Sequence, residues 1–247
     1  MQDDILVTTQ DGSNTLFSLK YNQHFHNTED GGLNESLNKH IIPAFNYHQD
    51  KKELNILDIC FGIGYNTLAT IYYILKNGLD IKLNIYSPEL DFDLVKFLKN
   101  FSYPKEFTNL RNIINELSIN QKYSSEKLNI EIFIGDAREY LKKIPKDFFH
   151  IVYQDAFSSE VNSELWTKEY FDEIYRISKV NSILTTYAIS TNIRLSLYEA
   201  GFTIYELKAT KRKITIAFKQ RQENIGKYID MELKKLRNPN AKVLYDN

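Results

Sequence analysis

Four apolar runs in this 247-residue chain end in residues able to do chemistry. Leu54–Cys60 contains Asp58 and leads into Phe61, Gly62, Gly64 and Asn66. Ile81–Tyr86 is followed by Glu89, Leu128–Ile134 by Gly135-Asp136-Ala137, and Phe148–Tyr153 by Gln154-Asp155-Ala156-Phe157. The glycines let backbone approach a bound molecule closely and let the next helix start in a tight space. A carboxylate such as Glu89 can accept from both hydroxyls of a ribose, and Asp136 from an adenine amino group. Asp136 also suits a second reading, as the cap of the helix behind it. Cys60 stands first in a series of small residues at alternate positions. No neighbouring histidine or base would activate its thiol, so it reads as a tolerated replacement for glycine.

Ligands of open α/β sheets bind beyond the carboxyl ends of the strands, near the point where strand order reverses. The elements must therefore bring these four ends to one crevice. Helical patterns over Asn66–Lys76, Asp91–Lys99 and Glu106–Leu117 separate the runs, and a further helix is expected over Glu164–Ile177, with Trp166, Tyr170, Ile174 and Ile177 on one face. Ser182–Tyr187, Phe202–Leu207 and Ile214–Phe218 read as later strands. Such alternation predicts an α/β fold with a mostly parallel, seven-stranded sheet, its last two strands forming an antiparallel pair at the edge. Ahead of it, residues 1–33 read as a β-hairpin turning at Asp11-Gly12, then a loop, with Asn34 capping a helix to Tyr47. Residues 34–219 form the expected main domain, and 220–247 a basic helix and tail outside it.

The net charge of −1 decides nothing about partners, but from Tyr205 onward eleven basic residues face five acidic ones. A solvated terminal helix accounts for that bias as well as a polyanion does. The single cysteine excludes an intrachain disulfide, and no cysteine–histidine cluster suggests a metal. No run approaches the roughly 18 to 20 apolar residues that span a bilayer. The start Met-Gln-Asp-Asp lacks a secretion-signal pattern, so a cytoplasmic protein with no membrane partner is expected.

A dinucleotide fingerprint would place a third glycine at the start of the helix, where this chain has Tyr65-Asn66-Thr67. Without it, the strand ends favour a nucleoside cofactor lacking phosphates, S-adenosyl-L-methionine, on a class I methyltransferase Rossmann-like fold. Asp58, Phe61, Gly62, Gly64, Asn66, Glu89, Asp136 and Ala137 are its expected binding residues.

Tyr153-Gln154-Asp155-Ala156-Phe157, followed by Ser163-Glu164-Leu165-Trp166-Thr167, resembles the methyltransferase family that completes 5-methylaminomethyl-2-thiouridine at the tRNA wobble position. The family has proline where this chain has Ser163. Asp11-Gly12-Ser13, Glu35-Ser36, and Leu184–Ala188 with Arg194 and Ala200-Gly201-Phe202 extend the similarity over most of the chain. Residues 100–127 match nothing in it. The resemblance implies methylation of an aminomethyl nitrogen on tRNA, with Asp155 facing the amine. With no oxidase domain following, it implies a stand-alone form dependent on a separate enzyme for its aminomethyl precursor. Glu35 is a further cofactor candidate, or simply a helix first-turn acid. Trp166 could stack on the substrate base or pack in the core. Lys211-Arg212-Lys213 could track phosphates of the anticodon stem-loop. The competing readings are a spermidine synthase-like small-amine transferase and a non-catalytic RNA-binding protein on the same fold. His24 and His26 read as surface residues.

Overall fold

The computed structural model describes residues 4–209 and 212–246. A small antiparallel sheet, β1 (Ile5–Thr8), β2 (Asn14–Ser18) and β3 (Gln23–His24), opens the chain. Its Asp11 turn reaches into the next element: Asp11 accepts from Ser13 N at 2.9 Å and from Asn34 N at 3.0 Å. The helix there is α1 (Gly32–Ser36), continued through a π-turn (Leu37–Ile41) into α2 (Ile42–Tyr47). Asn34 therefore lies inside the helix, not at its cap. The free N–H groups of the first turn receive a carboxylate from the hairpin instead.

The main sheet comprises β4 (Glu53–Ile59), β5 (Lys82–Glu89), β6 (Lys122–Ser124), β7 (Leu128–Ile134), β8 (Phe149–Gln154), β9 (Ser178–Thr186), β10 (Thr203–Ala209), β11 (Arg212–Phe218) and β12 (Lys227–Tyr228). Their order is β12-β10-β11-β9-β8-β4-β5-β7-β6. Seven of these make the expected class I sheet, and the short β6 and β12 extend its two edges. β11 runs antiparallel to both β9 and β10. The antiparallel strand thus sits one place inside the edge, because β11 folds back between its predecessors. Residues 220–246 contact this body: β12 pairs with β10, and Met231, at the start of α9 (Met231–Arg237), is buried.

β4 has β5 on one side and β8 on the other, both parallel to it. The chain moves outward through β5 and β7, then returns to the far side of β4, which places the switch point between the ends of β4 and β8. The side-chain period of two distributes β4 between two cores. Leu54 and Ile56 pack with Ile41, Ala44 and Leu68, while Leu57 and Ile59 pack with Phe171, Ile174 and Leu197. Helices α3 (Tyr65–Asn77), α4 (Phe92–Phe97), α5 (Arg111–Asn120), α6 (Ala137–Lys142), α7 (Lys168–Ile177) and α8 (Thr191–Glu199) connect the strands. The stretch 100–127, where the sequence showed no motif, packs around buried Phe101, Phe107 and Leu110.

The helix expected from Glu164 begins only at Lys168. Thr167 caps it by accepting from Tyr170 N at 3.2 Å, after a 3-10 turn over Ser163–Leu165. Trp166 precedes the helix, is 0% exposed, and donates Nε1–H to Phe157 O at 2.8 Å. Its ring lies in the core and does not meet the cavity described below. Trp166→Ala should lower the unfolding free energy by about 3–5 kcal/mol in urea titrations; a change below about 1 kcal/mol would contradict this packing role.

Candidate active site

The turn after β4 is built from alternating left-handed residues: Cys60 has φ 64°, Gly62 57° and Gly64 77°. At Gly64 an added Cβ would lie 2.8 Å from the Phe61 ring. Cys60 adopts the same glycine-like conformation at a cost on the order of 1 kcal/mol. Burial and the surrounding carboxylates, Glu89 first among them, push its thiol well above the usual range, so it remains protonated. Tyr103, half-buried in the stretch where the sequence showed no motif, donates to Ile63 O at 2.8 Å and holds the turn from below.

The four strand-end acids occupy different positions. Glu89 lines a cavity of about 860 Å³, with Phe61, Gly62, Asn66, Ala137 and Asp155 in its walls. That volume is near the upper end of the range for small-molecule sites. Glu89 accepts from Gly62 N at 2.8 Å on one oxygen and from Asp91 N at 2.8 Å on the other. Burial still raises its pKa. Each oxygen retains a lone pair for a further donor, the requirement of a vicinal diol. Asp155 lies across the switch point, its Oδ2 accepting from Asn66 Nδ2 at 2.9 Å.

Asp58 does not reach the cavity wall. It is buried behind the turn, accepting from Thr67 Oγ1 at 2.8 Å and Asn66 Nδ2 at 3.3 Å, and burial pushes its carboxyl up to about 7. Its place is to hold Asn66 and the first turn of α3. Gly64 likewise shapes the turn from outside the cavity. Asp136 caps α6, accepting from Arg138 N at 2.7 Å and Glu139 N at 3.1 Å, whereas its neighbours Gly135 and Ala137 line the cavity.

The N-terminal extension forms the roof. Gln23 and Ser158 exchange two hydrogen bonds, 2.6 Å and 3.2 Å, and Tyr21 and Phe25 each approach the Phe157 ring at 5.1 Å. Glu35 is part of this wall. Burial alone would raise its carboxyl, but the neighbouring His26 imidazole and the hydrogen-bonded ammonium of Lys39 outweigh that and hold it low. Lys39 Nζ lies 2.6 Å from Glu35 and 3.0 Å from Asp30. His26 is therefore a buried partner of Glu35, 3.6 Å away, and not a surface residue. Arg212 stands at the cavity mouth, paired with Glu29 at 2.6 Å, and Lys213 pairs with Glu206 at 2.8 Å. Lys211 lies outside the described residues. Tyr187 and Gln23, neither of them a site candidate from the sequence, are also in the walls.

The donor set fits a nucleoside-bearing cofactor. Glu89 offers acceptors beside a glycine turn, and Asn66 Oδ1 is buried with no hydrogen-bond partner among the described residues. No group of three or more histidine, cysteine, aspartate or glutamate side chains suited to a metal occurs among the described residues. Nor is any helix there long and apolar enough to cross a membrane.

Comparison with known proteins gives the same picture. Residues 104–220 match the model of a family described as S-adenosyl-L-methionine-dependent methyltransferase. An uncharacterized protein of Methanocaldococcus jannaschii is 31% identical over 88% of this chain and 60% of its own length. The tRNA 5-methylaminomethyl-2-thiouridine biosynthesis bifunctional protein MnmC of Aeromonas hydrophila is 27% identical over 81% of this chain, but only 34% of its own length. The chain thus spans about a third to three-fifths of these curated relatives. Among solved structures, MnmC2 from Aquifex aeolicus superposes with a TM-score of 0.86 at 27% identity, covering 99% of this chain and 79% of that one. With this cavity, sheet order and similarity together, the chain is an S-adenosyl-L-methionine-dependent methyltransferase that is similar to the MnmC methyltransferase domain.

Proposed function

We propose that this protein methylates the aminomethyl nitrogen of 5-aminomethyl-(2-thio)uridine at the wobble position of tRNA. The observation that carries this reading is the placement of Asp155 and Glu89 in one cavity on opposite sides of the switch point. One carboxylate is then available to the cofactor and the other to the acceptor. The name of the Aeromonas relative supports the choice of substrate. Such a substrate would place the reaction in the cytoplasm and require another enzyme to supply the aminomethyl group.

When bound, S-adenosyl-L-methionine supplies an electrophilic sulfonium methyl group. Glu89 would accept from the ribose hydroxyls, and the left-handed turn at Gly62 would let the backbone lie close to the nucleoside. An aliphatic amine titrates near a lysine, at roughly pH 10, so it arrives as an ammonium and must lose a proton before attack. Asp155 would orient it, and stabilise the positive charge that returns to nitrogen as the N–C bond forms at the expense of the sulfonium's methyl C–S bond. The same carboxylate raises the amine's pKa, so proton loss, to water or to Asp155 itself, opposes the binding step. Proximity within the cavity supplies much of the rate.

The cavity rim also carries Asp91, Asp93 and Glu164, which would suit a small polyamine. Transfer of labelled methyl to tRNA bearing 5-aminomethyl-2-thiouridine, followed by nucleoside analysis, separates the two substrates. Methylated tRNA is expected; polyamine methylation with no transfer to tRNA would overturn the reading. Asp155→Ala should reduce turnover about 10²- to 10³-fold while changing cofactor affinity less than about twofold; undiminished turnover would remove Asp155 from the reaction. Glu89→Ala should weaken cofactor binding roughly ten- to a hundredfold in calorimetry, from the loss of charge-assisted hydrogen bonds. An unchanged dissociation constant would show that the ribose lies elsewhere.

A further inference from the structure

The π-turn between α1 and α2 presents two successive side chains in different directions. Lys39 turns to Glu35 and Asp30, whereas His40 enters the sheet beneath the cavity and is 0% exposed. A π-turn within a helix is uncommon and occurs often at functional sites. Here it delivers an imidazole to the one carboxylate assigned to the acceptor.

His40 Nδ1 lies 2.8 Å from Thr185 Oγ1 on β9. Its Nε2 points at Asp155 Oδ1 from 3.5 Å, and has no hydrogen-bond partner among the described residues. The Tyr153 ring packs edge-on against the imidazole at 5.6 Å, fixing its plane. A bare Nε2 would aim its lone pair at a carboxylate in a buried position, which is repulsive. A proton on Nε2 converts the same approach into a charge-assisted hydrogen bond, with the Thr185 hydroxyl donating to Nδ1. The separation is long for such a bond, and catalytic hydrogen bonds often tighten only once substrate is in place.

We propose that His40 is a positioning residue for methyl transfer: its Nε2–H fixes the Oδ1 edge of Asp155 while Asn66 holds Oδ2. The two grips define the carboxylate plane, and the lone pairs left over face the incoming amine. Without His40 the carboxylate has one anchor and can rotate. This inference rests on Asp155 being the amine-facing group.

The test uses the full-length chain with His40→Leu and His40→Gln. Leucine keeps bulk but removes the N–H; glutamine restores an amide N–H of similar reach. With tRNA carrying 5-aminomethyl-2-thiouridine, His40→Leu should lose about 10²-fold in kcat, with cofactor affinity within about twofold. Its melting temperature should fall by only a few degrees, because the buried Thr185 hydroxyl loses its partner while leucine still fills the space. His40→Gln should recover a substantial part of the lost kcat. Independently of activity, nitrogen-15 NMR of the imidazole should show a protonated Nε2 whose signal moves in Asp155→Ala. Wild-type kcat in His40→Leu, or an Nε2 that carries no proton and does not respond to Asp155→Ala, would overturn the proposal. Should His40→Leu fail to fold, the glutamine variant and the imidazole signal decide. A wild-type enzyme inactive on this tRNA counts against the assigned substrate, and the imidazole signal then judges His40 alone.

Discussion

The carboxylate of Glu89 sits away from water at the end of β5, and the donors that reach it are the backbone amides of Gly62 and Asp91. Leaving such a group without donors is expensive. The glycine turn is therefore pinned to β5 as well as to its own strand, and α4 starts where Asp91 allows. From this one buried acid follow the shape of the turn, the start of α3 and the depth of the cavity. Tyr103 beneath Ile63 and Asp58 behind Asn66 complete the support.

The opposite wall depends on different physics. Asp155 accepts from Asn66 on α3, and His40 on the π-turn, itself anchored at Thr185 Oγ1 on β9, approaches its other oxygen at 3.5 Å. Glu35, Lys39 and His26 form a second buried charge cluster in the roof. One local widening of a helix serves both groups, so the N-terminal extension and the catalytic sheet are mechanically continuous.

The strand ends were legible because apolar runs of strand length, broken by Gly and Asp, have few other readings. β7 is found over the expected residues, and β4, β5 and β8 within a few residues of theirs. What could not be read was pairing. Asp136 has the same sequence context whether it caps α6 or meets an adenine, and only the direction of its carboxylate decides. Trp166 shows helical spacing with Tyr170, yet Thr167 starts the helix after it. His40 carried no pattern, since Thr185 and Asp155 lie far from it in the chain. The position of β11 between β9 and β10 depends on a fold-back that hydrophobic periodicity does not encode.

Cys60 has a consequence beyond the geometry of the turn. It stands in the wall of a cavity made for an alkylating agent, and a thiolate there would be a strong nucleophile. Burial and the nearby carboxylates of Glu89, Asp155 and Asp58 keep the sulfur protonated. Burial and the carboxylates around it thus keep a nucleophile in the cavity wall in its unreactive form.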